Sequence, residues 1–163
     1  MAEITGKKVS ESATEMMHVP MPDESNAAGN IHGGYLFKHI DDAGGVAAQR
    51  HAQHDVVTVS IEYMNYISPV LPGEAMILKS SVHFTGRTSM DVGVRVEVEN
   101  INSRTTRHAA TCFLTYVAVD QNGHPVEVPP LIVTTDEERR RHANAQERRK
   151  HRKQLQAALK NEG

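Results

Sequence analysis

From Tyr35 onward the apolar residues fall at helical spacing. Leu36, Ile40, Ala43 and Ala47 repeat along one stripe, and Phe37, Gly44 and Ala48 widen it, which predicts a helix running to about Ala52. Gly44-Gly45 weakens that helix by roughly 1 kcal/mol per glycine against alanine. Another backbone packed closely on this face is the simplest compensation, so the helix is expected to be buried. Beyond it the period changes to two. Val56–Tyr66 alternates, with Val57, Val59, Ile61 and Tyr63 on one face. Ala75–Phe84 forms the next strand, Val92, Val94, Val96 and Val98 mark a third, and Thr106–Val119 is a long, largely apolar fourth. Turn residues separate them: Ser68-Pro69 with Leu71-Pro72-Gly73-Glu74, then Thr85–Ser89, Asn100–Arg104 and Asn122-Gly123. A shorter strand, Ala13–Val19, precedes the helix and is stopped by Pro20 and Pro22.

One long helix followed by four strands in meander order is not a βαβ pattern. It predicts an α+β fold, an antiparallel sheet wrapped on a single helix. Such a sheet leaves an edge strand open, and pairing edges between subunits covers it, so a homo-oligomer, at least a dimer, is expected. Residues 1–12 read as a disordered lead, 13–134 as the folded domain and 135–163 as a basic helical tail. In the tail, Thr135-Asp136-Glu137-Glu138 places a hydroxyl cap before first-turn acids. The helix that follows is charged nearly all round to about Leu159 and reads as a solvated extension of the domain. The sharper alternative has Arg148, Arg149 and Lys150 meeting phosphates of a ligand or nucleic acid.

Composition narrows the class. A chain of 163 residues is expected to be one domain, and with no Trp its core must rest on aliphatic residues. The net charge of −2 gives no bias toward nucleic acid or membranes. The one cysteine, Cys112, lies in an apolar run and cannot form an internal disulfide, as expected of a reducing compartment. No apolar leader opens the sequence and no run approaches the ~20 apolar residues of a membrane span, so a cytoplasmic location without membrane insertion is expected.

Candidate chemistry gathers at the start of the long helix. Residues 22–34 form a polar loop with two Asn and three Gly, a composition suited to irregular backbone. Asp41 lies on the flank of the apolar stripe, where a carboxylate is desolvated unless paired and becomes a usable base. The plainer alternative is a rim carboxylate half in water. The first-turn amides of Gly33 and Gly34 carry no side chain to block approach and suit a carbonyl oxygen gaining negative charge. Metal binding is not expected, because no Cys pair and no His-Glu-x-x-His spacing accompanies the histidines. Gly86-Arg87-Thr88-Ser89 offers amides, hydroxyls and a guanidinium in one turn, which suits phosphate.

These motifs in order resemble one family, the hotdog-fold acyl-coenzyme A thioesterases, especially the cytosolic (brain-type) acyl-CoA hydrolases. The likeness lies in Met21-Pro22-Asp23, Asn26 through Gly34, Asp41, Tyr63–Pro69, Gly86–Ser89 and Glu127-Val128-Pro129-Pro130. It spans about residues 15–150. The resemblance implies a hotdog fold whose subunits pair into one continuous sheet and assemble as a trimer of dimers. It implies hydrolysis of acyl-CoA without a cofactor, with Asp41 as general base or nucleophile and Asn26 supplied by the partner subunit. Gly33 and Gly34 would hold the carbonyl oxygen, and Arg87, Thr88 and Ser89 the CoA phosphates. Asn30 stands where some relatives carry Asp, so no acid role is assigned to it. Three rivals remain open at this stage: a non-enzymatic acyl-CoA sensor, an enoyl-CoA hydratase using His32, and nucleic-acid binding through residues 139–153.

Overall fold

The computed structural model describes residues 4–162. A 20-residue helix, α1 (Gly33–Ala52), lies across one face of a five-stranded antiparallel sheet. The strands in chain order are β2 (Thr14–His18), β3 (Asp55–Tyr66), β4 (Ala75–Thr85), β5 (Ser89–Asn100) and β6 (Thr105–Val119); a two-residue β1 (Lys7–Lys8) precedes them. Leu36, Ile40, Ala43, Ala47 and Ala48 are buried, as the helical stripe predicts, against Met76, Leu78, Val82, Val94, Val96 and Leu114 of the sheet. The glycine at position 44 has a specific cause. A Cβ there would lie 2.5 Å from the Tyr116 hydroxyl of β6, so a side chain, not a backbone, makes the close approach. We expect Gly44→Ala to lower stability by about 1–3 kcal/mol, because overpacking outweighs the gain in helix propensity. Thermal denaturation beside Gly45→Ala, whose Cβ would meet Tyr116 at an ordinary 3.8 Å, checks this.

The sheet order is β2-β4-β5-β6-β3, which corrects the expected meander. β4, β5 and β6 follow one another, but β3 pairs with β6 on the far edge. The connection after β3 contains Pro69 and Pro72, which suit a crossover better than a tight hairpin. Arg107 fixes it by donating to the Pro69 carbonyl (2.7 Å) and to both Glu74 carboxylate oxygens. The expected single apolar face of β3 is also corrected. Register shifts between Thr58 and Ser60 and between Ile61 and Tyr63 each change which face the next residue takes. Ile61 therefore pairs with buried Leu114, whereas Tyr63 pairs with Phe113 on the opposite face. Val57, Val59, Ile61, Tyr63 and Tyr66 are each about half exposed along this open edge.

Two terminal segments are more tightly held than the sequence pattern indicates. The expected disordered lead lies partly outside the described residues. Within them, Lys7–Lys8 pair in parallel with β7 (Leu131–Ile132), and Val9 and Ser12 are buried. Lys7 Nζ donates to the carbonyls of Arg50 (3.1 Å) and His51 (3.0 Å), supplying the cation that the last turn of α1 needs. The tail helix α2 (Asp136–Lys160) begins with the expected capping box on Thr135 and Glu138. It does not simply extend into solvent. Ala145 is fully buried, the Arg148 guanidinium stacks 3.7 Å from the Phe113 ring centre, and Arg149 meets Asp91 at 3.6 Å. Arg152 reaches Glu62, Asp91 and Thr115. Long arginine stems thus cover the outer face of the sheet while their heads reach two largely buried acids. Burial pushes the Asp91 carboxyl above the usual carboxylate range, opposed by the Thr115 hydroxyl and the nearby arginines. Among the described residues no helix is long and apolar enough to cross a membrane.

Candidate active site

The loop before α1 is pinned at several points. Ser25 and Ile31 form an antiparallel bridge, the Ile31 amide donates to the Val70 carbonyl (2.8 Å), and the His32 amide donates to the Glu24 carbonyl (2.9 Å). Gly29 takes φ of +81°, which a residue with a side chain rarely adopts. Inside the loop, Asn26 Oδ1 accepts from the amides of Ala28 (3.0 Å) and Asn30 (3.2 Å). Those two donors identify the oxygen of the side-chain amide, so Asn26 has its Nδ2 protons to offer a ligand. The residue itself is exposed.

At the helix start the two glycine amides differ. His32 Nδ1 accepts from the Gly34 amide at 3.0 Å and caps the helix. Gly34 therefore has its donor engaged, and Gly33 is the amide better placed to receive a ligand oxygen. The Gly33 carbonyl accepts from the Tyr66 hydroxyl at 2.8 Å, and a Cβ on Gly33 would lie 3.2 Å from that hydroxyl. His32, which a hydratase would need as an acid-base group, is occupied as a cap.

Asp41 lies two turns further along α1, half-buried. It is paired, unlike a lone desolvated carboxylate. Thr58 Oγ1 donates to Oδ1 at 2.8 Å, and the Tyr116 hydroxyl lies 3.0 Å from Oδ1 and 2.9 Å from the Asp41 carbonyl. Thr58 and Tyr116 are partners across β3 and β6, so the sheet register delivers both hydroxyls to one oxygen. Burial and the neighbouring Asp41 charge push the Tyr116 phenol upward, which keeps it a donor. Oδ2 remains for a water or a substrate. Cys112, close by on β6, is fully buried, and its thiol is pushed up to about 12 by burial and by Asp41, so it is no nucleophile at neutral pH.

Asn26 and Asp41 are not hydrogen-bonded to each other within one chain. Asp41 is eight residues past Gly33, about 12 Å of helix rise. The turn Arg87–Ser89 lies elsewhere, beside α2. Arg87 is 3.6 Å from Glu127, the Gly86 amide donates to the Ser89 carbonyl (2.8 Å), and Ser89 Oγ accepts from Arg149 (3.1 Å). Thr58 and Tyr116 were not singled out from the sequence. The Gly44-Gly45 pair was the signal for Tyr116. Among the described residues no group of three or more His, Cys, Asp or Glu side chains is arranged to hold a metal.

Comparison with known proteins places this geometry. The thioesterase superfamily model matches residues 28–104. An uncharacterized acyl-CoA thioester hydrolase of Bacillus subtilis, YkhA, is 37% identical over 86% of this chain and 83% of its own length. The rat cytosolic acyl coenzyme A thioester hydrolase is 32% identical over 82% of this chain, which spans only 35% of that relative. An apo-hexameric acyl-CoA thioesterase superposes with a TM-score of 0.91 at 36% identity, covering 94% of this chain and 99% of that one. An acyl-CoA hydrolase from Staphylococcus aureus, solved with butyryl coenzyme A, coenzyme A and coenzyme A disulfide, gives a TM-score of 0.88 at 28% identity, covering 95% and 94%. The same enzyme has been solved with an aspartate, an asparagine or a threonine changed to alanine. Along that chain the asparagine, aspartate and threonine are spaced by 15 and 17 residues, the spacing of Asn26, Asp41 and Thr58 here.

Proposed function

The chain belongs to the acyl-CoA thioester hydrolases of the thioesterase superfamily, and we propose from that membership that it hydrolyses acyl-CoA to a free acid and coenzyme A. The observation that carries the reading is the Asp41 carboxylate, held at Oδ1 by two hydroxyls and free at Oδ2. A thioester is already electrophilic, so hydrolysis needs a base, a positioned water and donors for the developing oxyanion. Asp41 Oδ2 takes a proton from water as the water oxygen bonds to the thioester carbon. The carbon–sulfur bond then breaks, and the proton passes to the departing thiolate.

Asn26 acts from the partner subunit. Its Oδ1 is engaged by loop amides, and a donor pointed at the water oxygen would weaken the nucleophile, so Asn26 is poorly suited to orienting the water. Its Nδ2 is better used on the thioester carbonyl oxygen, together with the Gly33 amide. The reaction requires no cofactor beyond the ester itself, and the single buried thiol suits a reducing, cytoplasmic setting. Residues 13–134 are the catalytic unit in this reading, and residues 135–163 a tail whose stretch from Ala145 to Arg152 packs on it. The half-exposed apolar residues of β3 are covered by the same strand of a second copy, and such dimers assemble into a hexamer, as in the solved relatives.

The test is release of free thiol from acyl-CoAs of C2 to C18 chain length. Turnover with part of that panel supports the proposal; binding without thiol release from any ester would overturn it. The Arg87, Thr88 and Ser89 turn is assigned to the CoA phosphates. We expect Arg87→Ala to raise KM for acyl-CoA several-fold with kcat little changed, and an unchanged KM would remove that assignment.

A further inference from the structure

On the face of the sheet opposite α1 there is a cavity of about 550 Å³, roofed by α2. Its floor carries Lys79, His83, Gly93, Arg95 and Phe113, and α2 contributes Arg140, Arg141 and Arg148. Asp41 and its two hydroxyl partners lie on the other face, so this cavity is separate from the proposed catalytic centre.

The charges around it are unbalanced in a regular way. Lys79 (2.7 Å) and Arg95 (2.9 Å) both bind the single carboxylate of Glu97. Arg140 (3.8 Å) and Arg141 (2.5 Å) both bind that of Glu137. Arg148, Arg149 and Arg152 share Glu62 and Asp91. Each group holds one cation more than its acids, and Glu15 is the acid in the cavity wall. The floor adds an unpartnered polar atom. The His83 ring packs against Gly93, where a Cβ would come within 2.2 Å of its Cε1, and its Nε2 meets Ser81 Oγ at 3.1 Å. Its Nδ1 has no hydrogen-bond partner among the described residues, although His83 is only 8% exposed. Burial, with Arg141 and Arg148 nearby, pushes this imidazole down to about 3, so it adds a neutral polar group and not a further charge.

We propose that this cavity binds a phosphate-bearing anion carrying at least two negative charges. Guanidinium forks match phosphate oxygens in geometry, and two surplus positive charges match a dianion better than a single carboxylate. The volume falls within the range of about 300–1,000 Å³ typical of small-molecule sites. Two sources share this chemistry: a free phosphorylated compound and, in place of the Arg87 turn assigned above, the diphosphate of coenzyme A. The proposal does not depend on the hydrolytic activity, because binding is read directly.

The experiment is calorimetric titration of the full-length protein with inorganic pyrophosphate at low salt, repeated with Arg140→Gln/Arg141→Gln, Arg95→Gln and Arg87→Ala variants. We expect wild-type binding that weakens about tenfold or more in the first two variants and persists in the third. Loss of that binding when the protein is saturated with coenzyme A would identify the CoA diphosphate as occupant, and its retention a separate phosphate compound. No binding at millimolar pyrophosphate would overturn the proposal. Binding that is lost only in the Arg87→Ala variant would do the same, by placing the anion at the turn.

Discussion

Asp41→Ala is expected to lower kcat for thiol release by about a thousandfold or more while leaving the affinity for coenzyme A within a few-fold, since the base is lost and the binding surface is not. The local structure should survive the change. The Tyr116 hydroxyl keeps the Asp41 main-chain carbonyl at 2.9 Å, so it is not left as a buried unpaired donor. Asp41→Asn sharpens the test. It retains an oxygen for both hydroxyls but cannot take up a proton, so it should be nearly as inactive as the alanine variant at wild-type stability. If Asp41→Asn retained a tenth or more of wild-type kcat, Asp41 would be a positioning group and the base would lie elsewhere. Single turnover in oxygen-18 water separates the two routes open to the carboxylate. Label in the enzyme after turnover marks direct attack and an anhydride intermediate; its absence counts against that route.

Much of this site can be read from local sequence, and the part that cannot depends on register. The stripe from Leu36 to Ala47 and the alternation of the strands follow from helical and extended periodicity, which act over a few residues. The two bulges of β3 do not show in its sequence, because Val57, Val59, Ile61 and Tyr63 alternate as though the strand were regular. The bulges decide the faces taken from Ser60 onward, while the pairing of Thr58 with Tyr116, 58 residues later, is a long-range register that brings two hydroxyls to Asp41. The docking of α2 was hidden for a related reason. Its arginines look solvated on a helix considered alone, and their partners Glu62 and Asp91 are isolated acids within apolar strands. A lone carboxylate in a strand pattern was the available signal, but its partner lies far along the chain. The glycines were the opposite case: Gly44 announced a close approach, though only the fold shows that the Tyr116 hydroxyl makes it.

The division of the site between subunits makes the most demanding prediction. If Asn26 of one subunit serves Asp41 of the other, Asn26→Ala and Asp41→Ala proteins should each be nearly inactive alone yet restore one another when co-expressed. A mixed dimer holds one site with both changes and one with neither. Random pairing of equal amounts makes half the dimers mixed, so total activity should return to about a quarter of wild type in a two-fold assembly. A site built within one chain predicts no recovery, because every site would then carry one of the two changes. The geometry favours exchange: Asp41 lies about 12 Å of helix rise beyond the loop that holds Asn26. The apolar edge of β3, which carries Thr58, faces outward to receive a second copy. Measured on dimers isolated with two different affinity tags, the mixed species should show half of wild-type kcat per dimer at an unchanged KM. Activity at the level of the single variants in that purified species would place Asn26 and Asp41 of one chain in the same site and overturn the exchange between subunits.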